Sequence, residues 1–405
     1  MASIEGVPIA WEHRRDLFAL DPRVAHLNHG AFGAVPLPVQ RAQQRLRDEL
    51  EANPMAFFTR GLLDRIAHTR HHLATFVGAD PASAALVPNA TAAANAVLRS
   101  VRLEPGAEIL LTDHGYGAVR LAAEEAAGRA GATVRVVAVP LGSDDQQIVA
   151  RVVEAVRPQT RLAIVDQVAS PTATLFPTGR LAAELRRQSV LVLVDAAHAP
   201  GMLPVDVAAI DADFWLGNLH KWGFAPRPTA LIAVAPEYRD QLRPLVVSWE
   251  QPHGFPMAQE FAGTLDYTQW LAAPAGLHLL RSLGPETVRS HNNELVARGQ
   301  RLVAEAVALR WPGGDSGQRT DLLERARAGS LGSHQVSMRL VPLPPDVADE
   351  PSAALALQRR LATDYRVEAA VTAWNGLGLV RLSGQIYNRI DDYDRLAQGI
   401  RDVLR

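Results

Sequence analysis

Val190-Leu191-Val192-Leu193-Val194-Asp195-Ala196-Ala197-His198-Ala199-Pro200-Gly201 is the stretch that decides the fold. Five consecutive aliphatic residues leave a strand no polar face, so it belongs at the centre of a parallel sheet covered by helices on both sides. Comparable runs lie at Ala84–Val87, Glu108–Thr112, Thr133–Val139, Arg161–Val165, Phe214–Leu216 and Thr229–Val234. Between them, Ala118–Ala130, Asp144–Val156 and Gly179–Gln188 carry apolar residues at helical spacing and are long enough for right-handed crossovers. The expectation is an α/β fold whose large domain holds a mostly parallel, doubly wound, seven-stranded sheet.

After Gly263 the pattern changes. Trp270–Arg310 reads as long helices broken at Gly284-Pro285, and Gly313–Gly332 as a Gly- and charge-rich loop. A strand at His334–Leu340, a Pro-rich break at Pro342–Pro345, a helix at Ser352–Asp364, a strand at Gly378–Ser383 and a helix at Asp391–Arg405 complete a smaller α+β C-terminal domain. The chain of 405 residues is too long for one minimal core. The expected division is an N-terminal arm over 1–21, a large domain over 22–270 and a small domain over 271–405.

Composition narrows the function. Lys+Arg 41 against Asp+Glu 43 leaves a net charge of -2, so neither nucleic acid nor an anionic membrane is an expected partner. Met1–Asp21 is charged rather than apolar, and no run is long enough to span a bilayer, so a cytoplasmic protein is expected. Cysteine is absent, which excludes disulfides, thiolate metal sites and any chemistry that needs a protein thiol. The 41 basic residues comprise 40 arginines and one lysine, Lys221. Arginine stays protonated, whereas a lysine amine in an apolar setting can lose its proton and attack a carbonyl.

In open α/β sheets ligands gather at the carboxyl ends of strands. There the chain offers Asp195; Asn89-Ala90-Thr91 at the start of an Ala-rich helix; Asp113, His114 and Tyr116; and Gln167, Ser170, Pro171 and Thr172. Each has an ordinary structural explanation: a cap for Asp195, Asn89 or Thr91, and a satisfied buried ring for His198. Taken with Lys221, they supply an amine for an aldehyde, a carboxylate for a ring nitrogen and a helix start for a phosphate, the set that pyridoxal phosphate needs.

The chain resembles the class V aminotransferase family of fold-type I pyridoxal-phosphate (PLP) enzymes, and within it the isopenicillin N epimerase-like branch. The resemblance runs from about Leu27 to Leu404 and is carried by LNHGAFG at Leu27–Gly33, PNATAAANAVLRS at Pro88–Ser100, TDHGYGAVR at Thr112–Arg120, VDAAHAPG at Val194–Gly201, GNLHKWG at Gly217–Gly223, GTLDYTQW at Gly263–Trp270 and RLSGQIYN at Arg381–Asn388. It implies that Lys221 is the Schiff-base lysine, that Asp195 pairs with the pyridinium and that His198 meets the cofactor's phenolic oxygen. Ala90, Thr91, Asn218 and His220 fall at phosphate-side positions, and Ser170 and Thr172 join the cofactor set. His114 matches the stacking ring, with Tyr116 as the alternative. Thr264 is similar to a residue that reaches the neighbouring subunit's phosphate, which implies a homodimer with shared sites. Arg381 matches the arginine that holds a substrate carboxylate, and Asn28, His29, Ala31 and Phe32 resemble the substrate-side segment.

The implied reaction begins with loss of the α-proton of an amino acid. Its outcome stays open among epimerisation, C–S lysis and transamination, with His114 or Tyr116 as donors on the face away from Lys221. A desulfurase that loads sulfur onto its own cysteine is disfavoured. Rival readings fare worse: no G-x-G-x-x-G follows the first strand, as a nicotinamide dehydrogenase would need, and His68, His71 and His72 lack a carboxylate partner for zinc. A non-catalytic scaffold is opposed by the retention of Lys221, Asp195 and Arg381. Substrate identity is expected to depend on side chains from the N-terminal segment, the Ser248–Phe261 stretch and the partner subunit; Trp249, His253 and Phe255 either line an aromatic entrance or simply pack.

Overall fold

The computed structural model describes residues 11–311 and 317–405. The first ten residues of the expected N-terminal arm and the start of the expected Gly313–Gly332 loop lie outside them.

Seven strands form one sheet in the order Ala84–Val87, Ala230–Val234, Phe214–Asn218, Leu191–Asp195, Thr160–Asp166, Glu108–Thr112, Thr133–Val137. Ala230–Val234 is antiparallel to both neighbours and the other pairings are parallel. The Leu191–Asp195 strand sits at the centre with Val192, Leu193 and Val194 fully buried. Helices on both faces bury two separate aliphatic clusters, one meeting Val192 and Val194, the other Leu193. This alternation explains why the run has no polar face. Three strands reach further than the sequence reading places them, so that Asp166, Asp195 and Asn218 are themselves the terminal strand residues. Their side chains therefore take their direction from the sheet rather than from a loop.

Beyond the sheet, Thr268–Leu283 and Pro285–Ala308 are the two long helices, parted at Gly284, whose φ of 78° suits glycine. A three-stranded antiparallel sheet in the order Ala370–Trp374, Leu377–Ser383, Met338–Pro342 forms the C-terminal domain with helices Pro351–Tyr365 and Ile390–Val403. Three details differ from expectation. Gln318–Arg327 is a helix within the expected loop, because Leu322, Leu323 and Ala326 recur on one face and are buried. The Met338–Pro342 strand starts four residues after His334 and ends on Pro342, which an edge strand tolerates. Ala370–Trp374 is an additional strand, paired in a hairpin with Leu377–Ser383.

The N-terminal segment crosses between the domains. Ala25–His26 pairs in parallel with Val367–Glu368, and Leu27 accepts a backbone hydrogen bond from Ser383. The expected division assigns these residues to the large domain, yet their backbone bonds run to the C-terminal one.

Candidate functional site

Sheet geometry brings five strand ends to one rim. A cavity of about 230 Å³ opens there, walled by Ala31 and Phe32, Asn89 to Thr91, Tyr116, Asp166 with Val168 and Ser170, Asp195 with Ala197 and His198, and Asn218 with His220 and Lys221.

Lys221 lies just past the Phe214–Asn218 strand, and its backbone is pinned on two sides. Gly33 (φ 70°) and Gly201 (φ 90°) press so closely on the His220–Trp222 backbone that a Cβ at either would collide with it. Behind it, His29 Nε2 lies 3.0 Å from the Lys221 carbonyl and His29 Nδ1 lies 3.0 Å from the Tyr387 hydroxyl. His29 is thus buried behind the lysine, a brace for its backbone outside the cavity wall. Burial pushes its ionisation down to about 4, so the ring is neutral.

The amine itself faces His198, with Lys221 Nζ 3.2 Å from Nε2. Trp222 Nε1, which can only donate, points at His198 Nδ1 from 3.5 Å. A neutral imidazole that accepts at Nδ1 carries its hydrogen on Nε2, which it can donate to the free-base form of the Lys221 amine. Burial, then the positive charges of Lys221 and Arg381, hold His198 well below the ordinary imidazole range. Burial also pulls Lys221 down to about 8, with Arg381 adding to the fall and Asp195 opposing it. At pH 7 roughly one amine in ten is then free base, against roughly three in ten thousand at the ordinary lysine value. Condensation of the cofactor-free protein with a soluble aldehyde should accordingly rise with pH and level off above about pH 8. Following the rate by absorbance checks this; a rise that continues towards pH 10 would show an unshifted amine.

Asp195 is buried, accepts a hydrogen bond from the Ala197 amide at 2.9 Å and is raised by burial. The helix Ala90–Ser100 points its start into the cavity, with Asn89 capping Ala92 and Asn218 Oδ1 accepting from the Ala90 amide at 2.9 Å. His220 binds the Thr229 carbonyl through Nδ1 at 2.8 Å. The helix start, the one amine and the one deep carboxylate suit a phosphate, an aldehyde and a ring nitrogen; the residues present fit the group.

Six of the expected residues stand outside the wall. His114 is fully buried with both nitrogens engaged: Nε2 donates to the Val139 carbonyl at 2.8 Å, and Nδ1 accepts from the Thr172 hydroxyl at 2.6 Å. Its ring lies against Trp374 with centroids 4.8 Å apart. The tight turn that bonds Gly115 back to Thr112 sends the His114 ring inward and leaves Tyr116, at the helix start, on the cavity. Thr172 is committed to His114. Thr264 is exposed, on a turn that Tyr267 holds through the Gly263 carbonyl. Asn28 and Arg381 stand together behind Ser170: Arg381 donates to Asn28 Oδ1 at 2.8 Å and to the Ser170 carbonyl and hydroxyl, with its Nε buried and unpartnered. No described carboxylate pairs with this buried guanidinium, so it is left to meet an anion from outside. His29 is the sixth. Of the entrance candidates, Trp249 is largely exposed, whereas Phe255 is partly buried against the aliphatic core.

Asp166, Val168 and Ala197 were not anticipated. The signal for Asp166 was present: Ala163-Ile164-Val165-Asp166 repeats the pattern of Val192-Leu193-Val194-Asp195, an apolar run ending in a carboxylate.

A lone amine with a lowered proton affinity, sharing a cavity with a buried carboxylate and a helix start, defines a site for an aldehyde-type cofactor. Residues 34–323 match the aminotransferase class-V family, and the chain belongs to it, an enzyme of a PLP-dependent family. It is 35% identical to isopenicillin N epimerase of Streptomyces clavuligerus over 96% of this chain and 97% of that protein. It is 32% identical to a putative L-cysteine desulfhydrase 1 of Oryza sativa subsp. japonica over 94% of this chain and 83% of that protein. Among solved structures, a variant of C-DES with glycine covalently linked to its PLP cofactor superposes with a TM-score of 0.76 at 20% identity, covering 96% of this chain and 99% of that one.

Proposed function

We propose that the chain is a PLP enzyme that epimerises the α-carbon of an amino acid or amino-acid-derived substrate, in the manner of isopenicillin N epimerase. The observation that carries this reading is the chain's single lysine, its amine brought down to about 8 by burial in one cavity with Asp195. Bound PLP supplies the electron sink that makes an α-proton removable. Thr91, Asn218 and His220 would hold the phosphate, with the Ala90 turn beside them; Asp195 would hold the ring nitrogen and His198 the phenolic oxygen. Ser170 borders both cofactor and substrate, and Arg381 reaches past it to fork the substrate carboxylate. Lys221 Nζ takes the α-proton on one face. Tyr116, on the cavity wall where His114 is not, stacks on the ring and is the donor available to the other face. Ala31 and Phe32 cover the substrate and keep water out.

The test is the product. Incubation with isopenicillin N, cysteine, cystine and a panel of amino acids, followed by chiral analysis and mass spectrometry, is expected to give inverted α-carbons. Release of pyruvate and a sulfur species would establish the second reading, a C–S lyase, which the 32% identity to a cysteine desulfhydrase favours. With no cysteine to accept sulfur, such a lyase would release it as a small-molecule product. A Tyr116→Phe variant is expected to lose at least about tenfold in epimer formation while still washing solvent deuterium into the α-carbon of the starting enantiomer. Undiminished epimerisation would remove Tyr116 from that role.

A homodimer with shared sites is part of the proposal. Val246, Val247 and Trp249, and Leu265 next to Thr264, are exposed apolar residues, the kind of surface a second copy covers. Trp249→Glu is expected to convert dimer to monomer in sedimentation; a dimer unaffected by it places the interface elsewhere. A cytoplasmic setting fits this reading, and no helix among the described residues is long and apolar enough to cross a membrane.

A further inference from the structure

Asp166 and Asp195 end neighbouring parallel strands and are direct register partners, so their side chains leave the same face of the sheet side by side. Both are buried, at 4% exposure each, and both wall the cavity. Among the described residues no arginine, lysine or histidine lies within ion-pair distance of either carboxylate, and no other residue donates a hydrogen bond to the Asp166 side chain. The groups around the pair are few. Lys221 and His198 stand across the cavity, Arg381 lies behind Ser170, and Tyr116, Asp113 and His114 follow the adjacent strand. His198 and His114 are neutral rings, and Lys221 is the one cation able to answer a carboxylate from within the cavity. Two buried carboxylates sharing one compensating charge do not both ionise.

We infer that Asp166 is a neutral carboxylic acid that donates its proton in a hydrogen bond to Asp195, a positioning residue that keeps the Asp195 carboxylate anionic and aimed. This rests on the reading that Asp195 is the cofactor's carboxylate. Burial and the neighbouring Asp195 charge hold Asp166 well above the ordinary carboxylate range, whereas the Ala197 amide and Lys221 both work to keep Asp195 ionised. The proton stays with the residue that has no other donor. In the loaded enzyme the ring nitrogen then meets one full negative charge rather than two.

Two readouts separate this inference from the cofactor assignment. Infrared difference spectra of the cofactor-free protein against Asp166→Asn report the protonated acid without any cofactor; the carboxylic C=O band is expected in the parent and absent from the variant. A parent-minus-variant spectrum without a carboxylic C=O band overturns the inference, whatever the enzyme binds. Equilibrium binding of PLP then asks whether neutrality matters. Asp166→Asn keeps an N–H donor and is expected to hold the cofactor within about threefold of the parent, with its visible band titrating at an unchanged pH. Asp166→Ala loses the donor and is expected to bind at least about tenfold more weakly. Equal losses in both variants would mean that Asp166 acts as a charge, and would overturn the inference. Failure of every form to bind PLP would refute the cofactor reading while leaving the infrared result to judge Asp166.

Discussion

A Lys221→Ala variant is expected to fold, to bind PLP only reversibly and to lose at least about three orders of magnitude in turnover. The size of the effect follows from there being no substitute: the other 40 basic side chains are arginines, which keep their protons. The visible band of the purified enzyme should be absent from the variant. Borohydride reduction followed by peptide mapping should label Lys221 alone in the parent. Normal turnover without it, or a reduced parent whose Lys221 peptide is unlabelled, would refute the site. Folding should survive because the backbone, rather than the side chain, carries the contacts to His29, Gly33 and Gly201.

The second large effect belongs to Arg381→Met. Its guanidinium is buried without a carboxylate, which lowers its hold on the proton to about 10 and leaves Nε unpartnered. A site that bears such desolvation is repaid when an anion arrives; removing the cation should cost about 2–5 kcal/mol, or thirtyfold to several thousandfold in kcat/KM for a carboxylate substrate. An amine that lacks the carboxylate should be much less sensitive to the same change. If both substrates suffer equally, Arg381 serves only to tie Asn28 to Ser170.

The residues that were legible in the sequence, and those that were not, differ in how local their cause is. Val190–Val194 announced a central strand because burial on both faces leaves no choice of composition. Lys221 stood out because it is unique. Ala370–Trp374 escaped notice because only two of its five residues are buried, so its hairpin is held by pairing with Leu377–Ser383 rather than by a periodic pattern. His114 and Tyr116 are two residues apart, and a single turn decides which ring meets the cavity; nothing in their spacing tells which. His29 and Arg381 took their roles from partners more than 180 positions away, Lys221 in one case and Ser170 in the other. Contacts of that range leave no local trace. Asp166 was hidden for a different reason: its meaning lies in sharing a register position with Asp195, which only strand pairing creates.

The strap formed by residues 25–33 denies the large domain autonomy. One end of it is stitched to the C-terminal domain through the short Val367–Glu368 strand and Ser383, and the other wedges His29 and Gly33 beneath Lys221, with Tyr387 as backstop. Any relative shift of the two lobes therefore pulls directly on the Lys221 backbone. A truncated chain ending near Gly284 would still contain every strand of the main sheet, but its lysine would hang without the scaffold that aims it.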